Sequence, residues 1–510
     1  MLRRFCFVPI NFLFCLAIAS CLIFSILLFI GLDQVPAPLF QDESDGLYRI
    51  LHYASTGKDI AGNFLPFMMG FGNGFASYTH PAYFVPVSII SKFAGPVASV
   101  GELRSIGGLY CIATSFLVFR LSRLLGLRPL YGIFASFLYL SSPLSQLSSR
   151  VAWDPVSLPF WYLLAILAIE CFFGAFRSSS DSYSKNYIIL ASFLVGLAIS
   201  FLWWGYPPGR LLSLCLEAYF AFRILSSRLN NKSLVLSVQL SAFLFLLAPV
   251  LISIRLDPEI GRRSSDLLNQ LTLLGLYSSF KSLLSQLSYA DYLLFWGDPE
   301  RRHSTGFGGV LGFAGVIIVI SSFLYILFRS FEGTNSKIKS TSLSSFPVGR
   351  IIFYVIVGTL PAAVTFNEFH ALRSAAAFPL WAILSALFLE RIIESAECGS
   401  RLKRFAFLFV LSLGFVYGLS GWNYMSGHKS FLSDAQQGST YRGQSKSYFQ
   451  NSAYNSIHGL SDVDIINRVK LIKGYPGTAD SRALFEYYSR RLDKSNGPVF
   501  FDQSNRGNAL

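Results

Sequence analysis

The sequence predicts an all-α, polytopic membrane protein, and three observations carry that prediction. Only 14% of its 510 residues are charged, where a soluble domain typically carries about 25%. Apolar residues make up 53% of the chain and mean hydropathy is +0.49, so it lacks the polar surface that a water-soluble body of this size needs. Apolar stretches of roughly 20 residues recur, each long enough to cross the hydrocarbon layer as a helix.

The first stretch follows Met1-Leu2-Arg3-Arg4 and runs from Val8 to Leu32. It has the basic start of a signal peptide, but no convincing small-residue cleavage site follows, and its length suits an uncleaved first span. Further spans are expected at 104–122, 129–147, 156–175, 187–205, 209–226, 233–253, 309–328, 350–366, 372–390 and 404–422, a bundle of about eleven helices. These spans belong to a membrane domain, 1–422, interrupted by two long loops, 33–103 and 254–308. In the second loop Phe280, Leu283, Leu284 and Leu287 fall at i, i+3, i+4 and i+7, which predicts an amphipathic juxtamembrane helix. The remainder, 423–510, mixes 11 basic residues (Lys429 to Arg506) with 7 acidic ones (Asp434 to Asp502). That balance predicts a small soluble tail.

The charge distribution orients the bundle. Short loops on the N-terminal side hold Arg120, Arg123 and Arg128, then Arg177 and Lys185, then Arg223, Arg228 and Lys232. Arg329, Lys337, Lys339, Arg350, Arg391, Arg401, Lys403 and Arg404 continue the series, whereas the opposing short loops hold Arg150, Arg210 and Arg373. The positive-inside rule then places the N-terminus in the cytoplasm and the long loops and tail outside, in an inner, cytoplasmic membrane. The net charge of +14 is largely a topology signal rather than a nucleic-acid footprint. The seven cysteines show no paired or metal-ligand spacing.

With that orientation the unusual polar clusters share one side. Phe40-Gln41-Asp42-Glu43-Ser44-Asp45-Gly46 follows the first span, and Lys58 and His80 lie in the same loop. Arg150 follows the third span, Tyr206 and Arg210 the fifth, and His370 and Arg373 the ninth, while Asp298 and His303 occupy the second long loop. Carboxylates suit proton abstraction, and Arg suits bidentate capture of phosphate. Each element also has a plainer reading. Asp42 and Glu43 suit hydration of a helix end, Arg150 suits an interfacial anchor, Tyr206-Pro207-Pro208-Gly209 suits a tight turn, and His80 and His303 taken singly suit structural roles. Their shared sidedness is what points to function.

Read in order, these segments resemble the GT-C glycosyltransferases that use polyprenyl-phosphate-linked sugars, the class of the protein O-mannosyltransferases and the lipid A aminoarabinose transferase. The resemblance runs over about 10–390. DESDGLYRILHYASTGKDIAGNFLP is similar to the acidic first external loop of that family, and THPAY to its Pro-Pro segment, with Ala82 where a second Pro is common. SPLSQLSSRVAWD, WWGYPPGRL, LFWGDPERRHSTGFGG and NEFHALRSAAAFPL are similar to later family segments. The resemblance implies a membrane enzyme that moves a sugar from polyprenyl phosphate to an acceptor outside the cytoplasm, with inversion. It implies Asp42 as general base with Glu43 beside it, and Arg210, Arg373, Arg150 and Lys58 facing the donor phosphate. Tyr206, His370, His80, Asp298 and His303 are then substrate neighbours.

No cofactor is required by this reading. Asp298 and His303, with Asp42 or Glu43, suit a divalent cation near the phosphate, although their spacing is not diagnostic. The partners are the lipid-phosphate donor, an acceptor of open identity and the bilayer. A transporter or flippase for a lipid-linked saccharide is the rival, because Glu170 and Glu217 fall within or near apolar runs. A scaffold subunit without catalysis is a third reading.

Overall fold

The computed structural model describes residues 10–32, 69–70, 78–79, 81–94, 100–178, 185–227, 229, 231–256, 277–278, 280–281, 283, 309, 311–321, 348–365, 371–395 and 400–427. Two short strands, β1 (Met69–Gly70) and β2 (Tyr78–Thr79), pair antiparallel; the other elements are helical. They are α1 (Ile10–Leu27), α2 (Pro81–Ala94), α3 (Val100–Leu124), α4 (Pro129–Leu140), α5 (Pro143–Ser148) and α6 (Leu158–Ser178), then α7 (Lys185–Ser200), α8 (Pro208–Ser226), α9 (Lys232–Leu256), α10 (Val348–Thr365), α11 (Phe378–Ser395) and α12 (Ser400–Gly427). Residues 313–321 are helical as well. Single 3-10 turns, Asp154–Ser157, Phe201–Trp203 and Ala375–Ala377, adjoin α6, α7 and α11.

Among the described residues six helices, α3, α6, α7, α9, α11 and α12, are long and apolar enough to cross a membrane, and α1, α4 and α10 are shorter apolar helices. By helix composition the chain is a multi-pass membrane protein. The predicted span 209–226 forms α8, which is not among the six and holds Arg210, Glu217 and Arg223. The predicted span 129–147 is not one helix. Pro143 lacks the amide that would continue α4, and its ring excludes the preceding helical turn. Pro143 instead starts α5 at its N-terminal position, with Ser142 as cap accepting from the Ser145 amide at 3.3 Å. Inside the predicted loop 33–103 lies α2, which buries Tyr83 and Val87 and exposes Ile89, Ile90 and Phe93.

Aromatic rings fill the interior, where association in lipid depends on packing rather than on water exclusion. Phe24 of α1 meets Phe137 of α4 at 5.6 Å and Phe415 of α12 at 5.7 Å. Farther along, α7 lies against α9, and α4 against α1, α3 and α11.

Consecutive spans alternate in direction, so the bundle has two distinct ends. One end gathers the basic residues. There Glu170 of α6, 3% exposed, accepts from Arg223 of α8 at 2.8 Å, from Arg350 of α10 and from the Tyr354 hydroxyl at 2.8 Å. Arg223 also stacks on Phe173, its guanidinium carbon 3.8 Å from the ring centroid. At the same end Arg128 pairs with Glu394 at 2.6 Å and Glu390 at 3.7 Å. The other end collects the described pieces of the quoted motifs.

Candidate active site

At the motif end, the described pieces of four sequence-distant motif segments meet around the start of α6. The 3-10 turn Asp154–Ser157 is braced by the Ser157 hydroxyl, which donates to the Asp154 carbonyl at 2.8 Å, and it packs on α2 and α3. A cavity of about 10 Å³, room for one water, lies among Tyr139, Ser145, Ser148, Val156, Leu372 and Ala375. It is the seam where SPLSQLSS meets ALRSAAAFP. The Ala82 amide of THPAY donates to the Trp204 carbonyl of WWGYPPGR at 3.1 Å. Trp161 of α6 stacks on Phe201 at 5.0 Å, which ties in the turn that follows α7.

Arg210 sits in the first turn of α8. Pro208 starts that helix, and the Gly209 and Arg210 amides close the turn on the carbonyls of Tyr206 and Pro207, at 2.8 and 3.0 Å. Gly209 is required there: a Cβ would stand 2.4 Å from the Leu202 carbonyl oxygen. Arg210 is 7% exposed, its guanidinium carbon 6.0 Å from the Trp203 ring centroid. Trp203 is fixed in turn by a bond from its indole N–H to Ser213 Oγ at 3.1 Å.

Arg373 lies in the turn over 371–374, half-buried between buried Leu372 and Ser374. The turn tightens into the 3-10 segment Ala375–Ala377, with the Ala377 amide donating to the Ser374 carbonyl at 2.9 Å. Gly358 of α10 supports that segment at contact distance, since a Cβ there would come within 3.1 Å of the Ala377 Cα.

Arg150 is 1% exposed, and its Nη2 donates to the carbonyl of Leu27, the last residue of α1, at 2.8 Å and to that of Ile30 in the turn beyond it at 2.9 Å. Burial lowers this guanidinium from 12.5 to about 10, and neighbouring Arg104 acts in the same direction. It stays a cation at neutral pH. Arg104 is 0% exposed and its Nη1 donates to the Leu32 carbonyl at 2.8 Å. Arg104 is not among the residues expected from sequence, because an arginine at the edge of an apolar run looks like an interfacial anchor.

Of the predicted site residues, Arg150, Tyr206, Arg210 and Arg373 therefore sit on elements gathered at one end. Asp42, Glu43, Lys58, His80, Asp298, His303 and His370 lie outside the described residues, as does the tail beyond Gly427. Among the described residues no group of three or more His, Cys, Asp or Glu is placed to hold a metal ion. The two carboxylates that favoured a transporter are both satisfied. Glu170 has the partners given above, and Glu217 accepts from the Gln239 amide with both oxygens, at 2.6 and 2.7 Å.

No family model matches the chain, and no curated protein does either. Among solved structures, ArnT from Cupriavidus metallidurans bound to undecaprenyl phosphate gives a TM-score of 0.48 at 11% identity, covering 93% of this chain and 84% of that one. The apo state of ArnT gives 0.49 at 10% identity with the same coverage. The archaeal oligosaccharyltransferase AglB from Archaeoglobus fulgidus, in complex with an inhibitory peptide and a dolichol-phosphate, gives 0.48 at 13% identity over 94% of this chain. This chain spans 64% of the AglB chain, less than two thirds of its length. The structure is similar to those of ArnT and AglB, at low sequence identity.

Proposed function

We propose that the chain is a glycosyltransferase that moves a sugar from a polyprenyl-phosphate donor to an acceptor hydroxyl on the extracytoplasmic face. The observation that carries this reading is the meeting of the described motif pieces at the end of the bundle opposite the basic loops, with Arg210 and Arg373 each on a turn there. In the reaction, Asp42 takes the proton of the acceptor hydroxyl, with Glu43 as neighbour, while the acceptor oxygen bonds to the anomeric carbon. The bond from that carbon to the phosphate oxygen breaks, its electron pair stays on the phosphate, and the anomeric centre inverts. Arg210 and Arg373 stabilise the charge that grows on the departing phosphate, an effect strongest where water is excluded. The partnered states of Glu170 and Glu217 weigh against the transporter reading, which needs exchangeable groups inside the bundle.

The test is turnover. Purified protein given radiolabelled undecaprenyl-phosphate sugars should release undecaprenyl phosphate, and Asp42→Asn should reduce release by about 10²-fold or more with folding unchanged by circular dichroism. Full activity in both Asp42→Asn and Glu43→Gln would remove the base assignment. Arg210→Gln and Arg373→Gln should each weaken undecaprenyl-phosphate binding about tenfold, equivalent to about 1.4 kcal/mol. Unchanged activity after EDTA would assign no role to a divalent cation at Asp298 and His303.

A further inference from the structure

Arg104 and Arg150 are the largest side chains sealed inside the described part of the protein. Removing a guanidinium from water costs several kcal/mol unless hydrogen bonds replace the lost hydration. Both donate to carbonyls of the same stretch, Leu27 to Leu32, where the chain leaves α1.

A helix ends with four carbonyls that lack an internal partner, and in hydrocarbon each such group costs several kcal/mol. After α1 the chain reads Leu28-Phe29-Ile30-Gly31-Leu32, which offers no polar side chain to cap them. The last turn tightens, with the Phe29 and Ile30 amides donating to Ile26 and Leu27 at 3.0 and 3.4 Å. Gly31 then takes a left-handed φ of +70°, the usual way for a helix to stop. The Leu27 and Ile30 carbonyls are met by Arg150, and the Leu32 carbonyl by Arg104. Two cations at a helix C-terminus also oppose the negative end of its dipole. One arginine comes from α3 and the other follows α5, so the cap ties three elements at one point.

We infer that Arg104 and Arg150 are positioning residues, a two-arginine cap that fixes where the chain leaves α1 and enters the loop holding Asp42 and Glu43. Asp42 follows Leu32 by ten residues, so the last anchored carbonyl sets the root of that segment. This assigns Arg150 to α1 rather than to the donor phosphate: it has almost no exposed surface, and one of its two amino nitrogens serves two carbonyls. The role given to Asp42 rests on the proposed function; the cap itself does not.

The experiment compares the full chain with Arg104→Met, Arg150→Met, Arg104→Lys and Arg150→Lys in nanodiscs. Hydrogen exchange at the amides of residues 28–34 should quicken tenfold or more in the Met variants, while exchange in α6 stays constant. The Lys variants, which keep a charged donor, should recover part of the protection; should the Met variants fail to fold, the Lys variants decide. Affinity for undecaprenyl phosphate should stay within twofold. With radiolabelled undecaprenyl-phosphate sugars, kcat should fall at least tenfold with KM within twofold. Unchanged exchange at 28–34, or a tenfold loss of undecaprenyl-phosphate affinity with a matching rise in KM, would overturn the inference. If wild-type protein neither binds undecaprenyl phosphate nor turns over its sugars, the proposed function falls, and exchange at α1 still decides the cap.

Discussion

Glu170 and the Arg104–Arg150 pair stand at opposite ends of one bundle and answer the same problem, a buried charge, in different ways. At the basic end, Glu170 takes two guanidiniums and a tyrosine hydroxyl, so its negative charge is offset, one positive charge is in excess, and three helices are joined. At the motif end, Arg104 and Arg150 donate to main-chain carbonyls. Those main-chain carbonyls accept from the guanidiniums, whereas at Glu170 the partners are side chains. The first arrangement is an ion-paired joint between side chains of three helices. The second ties two side chains to the main chain at and just past the end of α1.

If the basic end is a structural joint, removing its carboxylate should destabilise the protein more than opening a turn at the motif end does. Glu170→Leu leaves Arg223 and Arg350, 14% and 26% exposed at their side chains, without their shared carboxylate. Breaking a buried pair from one side costs about 3 kcal/mol or more. Thermal melting in detergent should show a marked drop, while undecaprenyl-phosphate affinity at a permissive temperature stays within twofold. A loss of affinity larger than the loss of stability would mean that the two ends are not separable.

Two glycines sharpen the same contrast with equal chemistry. Gly209→Ala would place a Cβ 2.4 Å from the Leu202 carbonyl oxygen, at the turn before Arg210; Gly196→Ala would place one 2.2 Å from the Gln239 carbonyl oxygen, between α7 and α9. Each overpacks a backbone contact, with an expected cost of about 2 kcal/mol. Only the first must open the turn that holds Tyr206 and Arg210. Undecaprenyl-phosphate titrations should show about a tenfold loss for Gly209→Ala and less than twofold for Gly196→Ala. Equal effects would show that the motif end responds to general loosening of the bundle.

Much of the frame was legible in one dimension because a span in lipid is written as an uninterrupted apolar run. The expected 104–122, 233–253 and 404–422 lie inside α3, α9 and α12. The break at Pro143 was legible in principle, yet the apolar residues on both sides masked it. Amphipathic α2 escaped as an element because Pro81, Pro86 and its alternation of buried and exposed positions keep it from reading as a span. At the site, the sidedness of Arg150, Tyr206, Arg210 and Arg373 followed from counting spans. Burial did not. Arg104 and Arg150 differ from an interfacial arginine only in what surrounds them, and the carbonyls they meet come from at least 72 residues away along the chain. The pairing of Glu217 with Gln239 was hidden for the same reason: it joins two helices whose facing sides no periodicity specifies.

The smallest effect belongs to the most visible ion pair. Arg128 starts the turn into α4 and reaches Glu394 at 2.6 Å and Glu390 at 3.7 Å. By distance alone it rivals the Glu170 joint. Its side chain is 61% exposed, however, against 3% for Glu170, so water and salt screen the attraction and ordering a long side chain offsets the rest. Exposed pairs of this kind contribute about 0.2–1 kcal/mol. Arg128→Ala should therefore lower stability by less than about 1 kcal/mol, and added salt should shrink that loss further. A comparison of melting in low and high salt checks it. If Arg128→Ala matched Glu170→Leu in cost and resisted salt, exposure would not be what separates a strong joint from a weak one, and the basic end would be held by its rim as well as its interior.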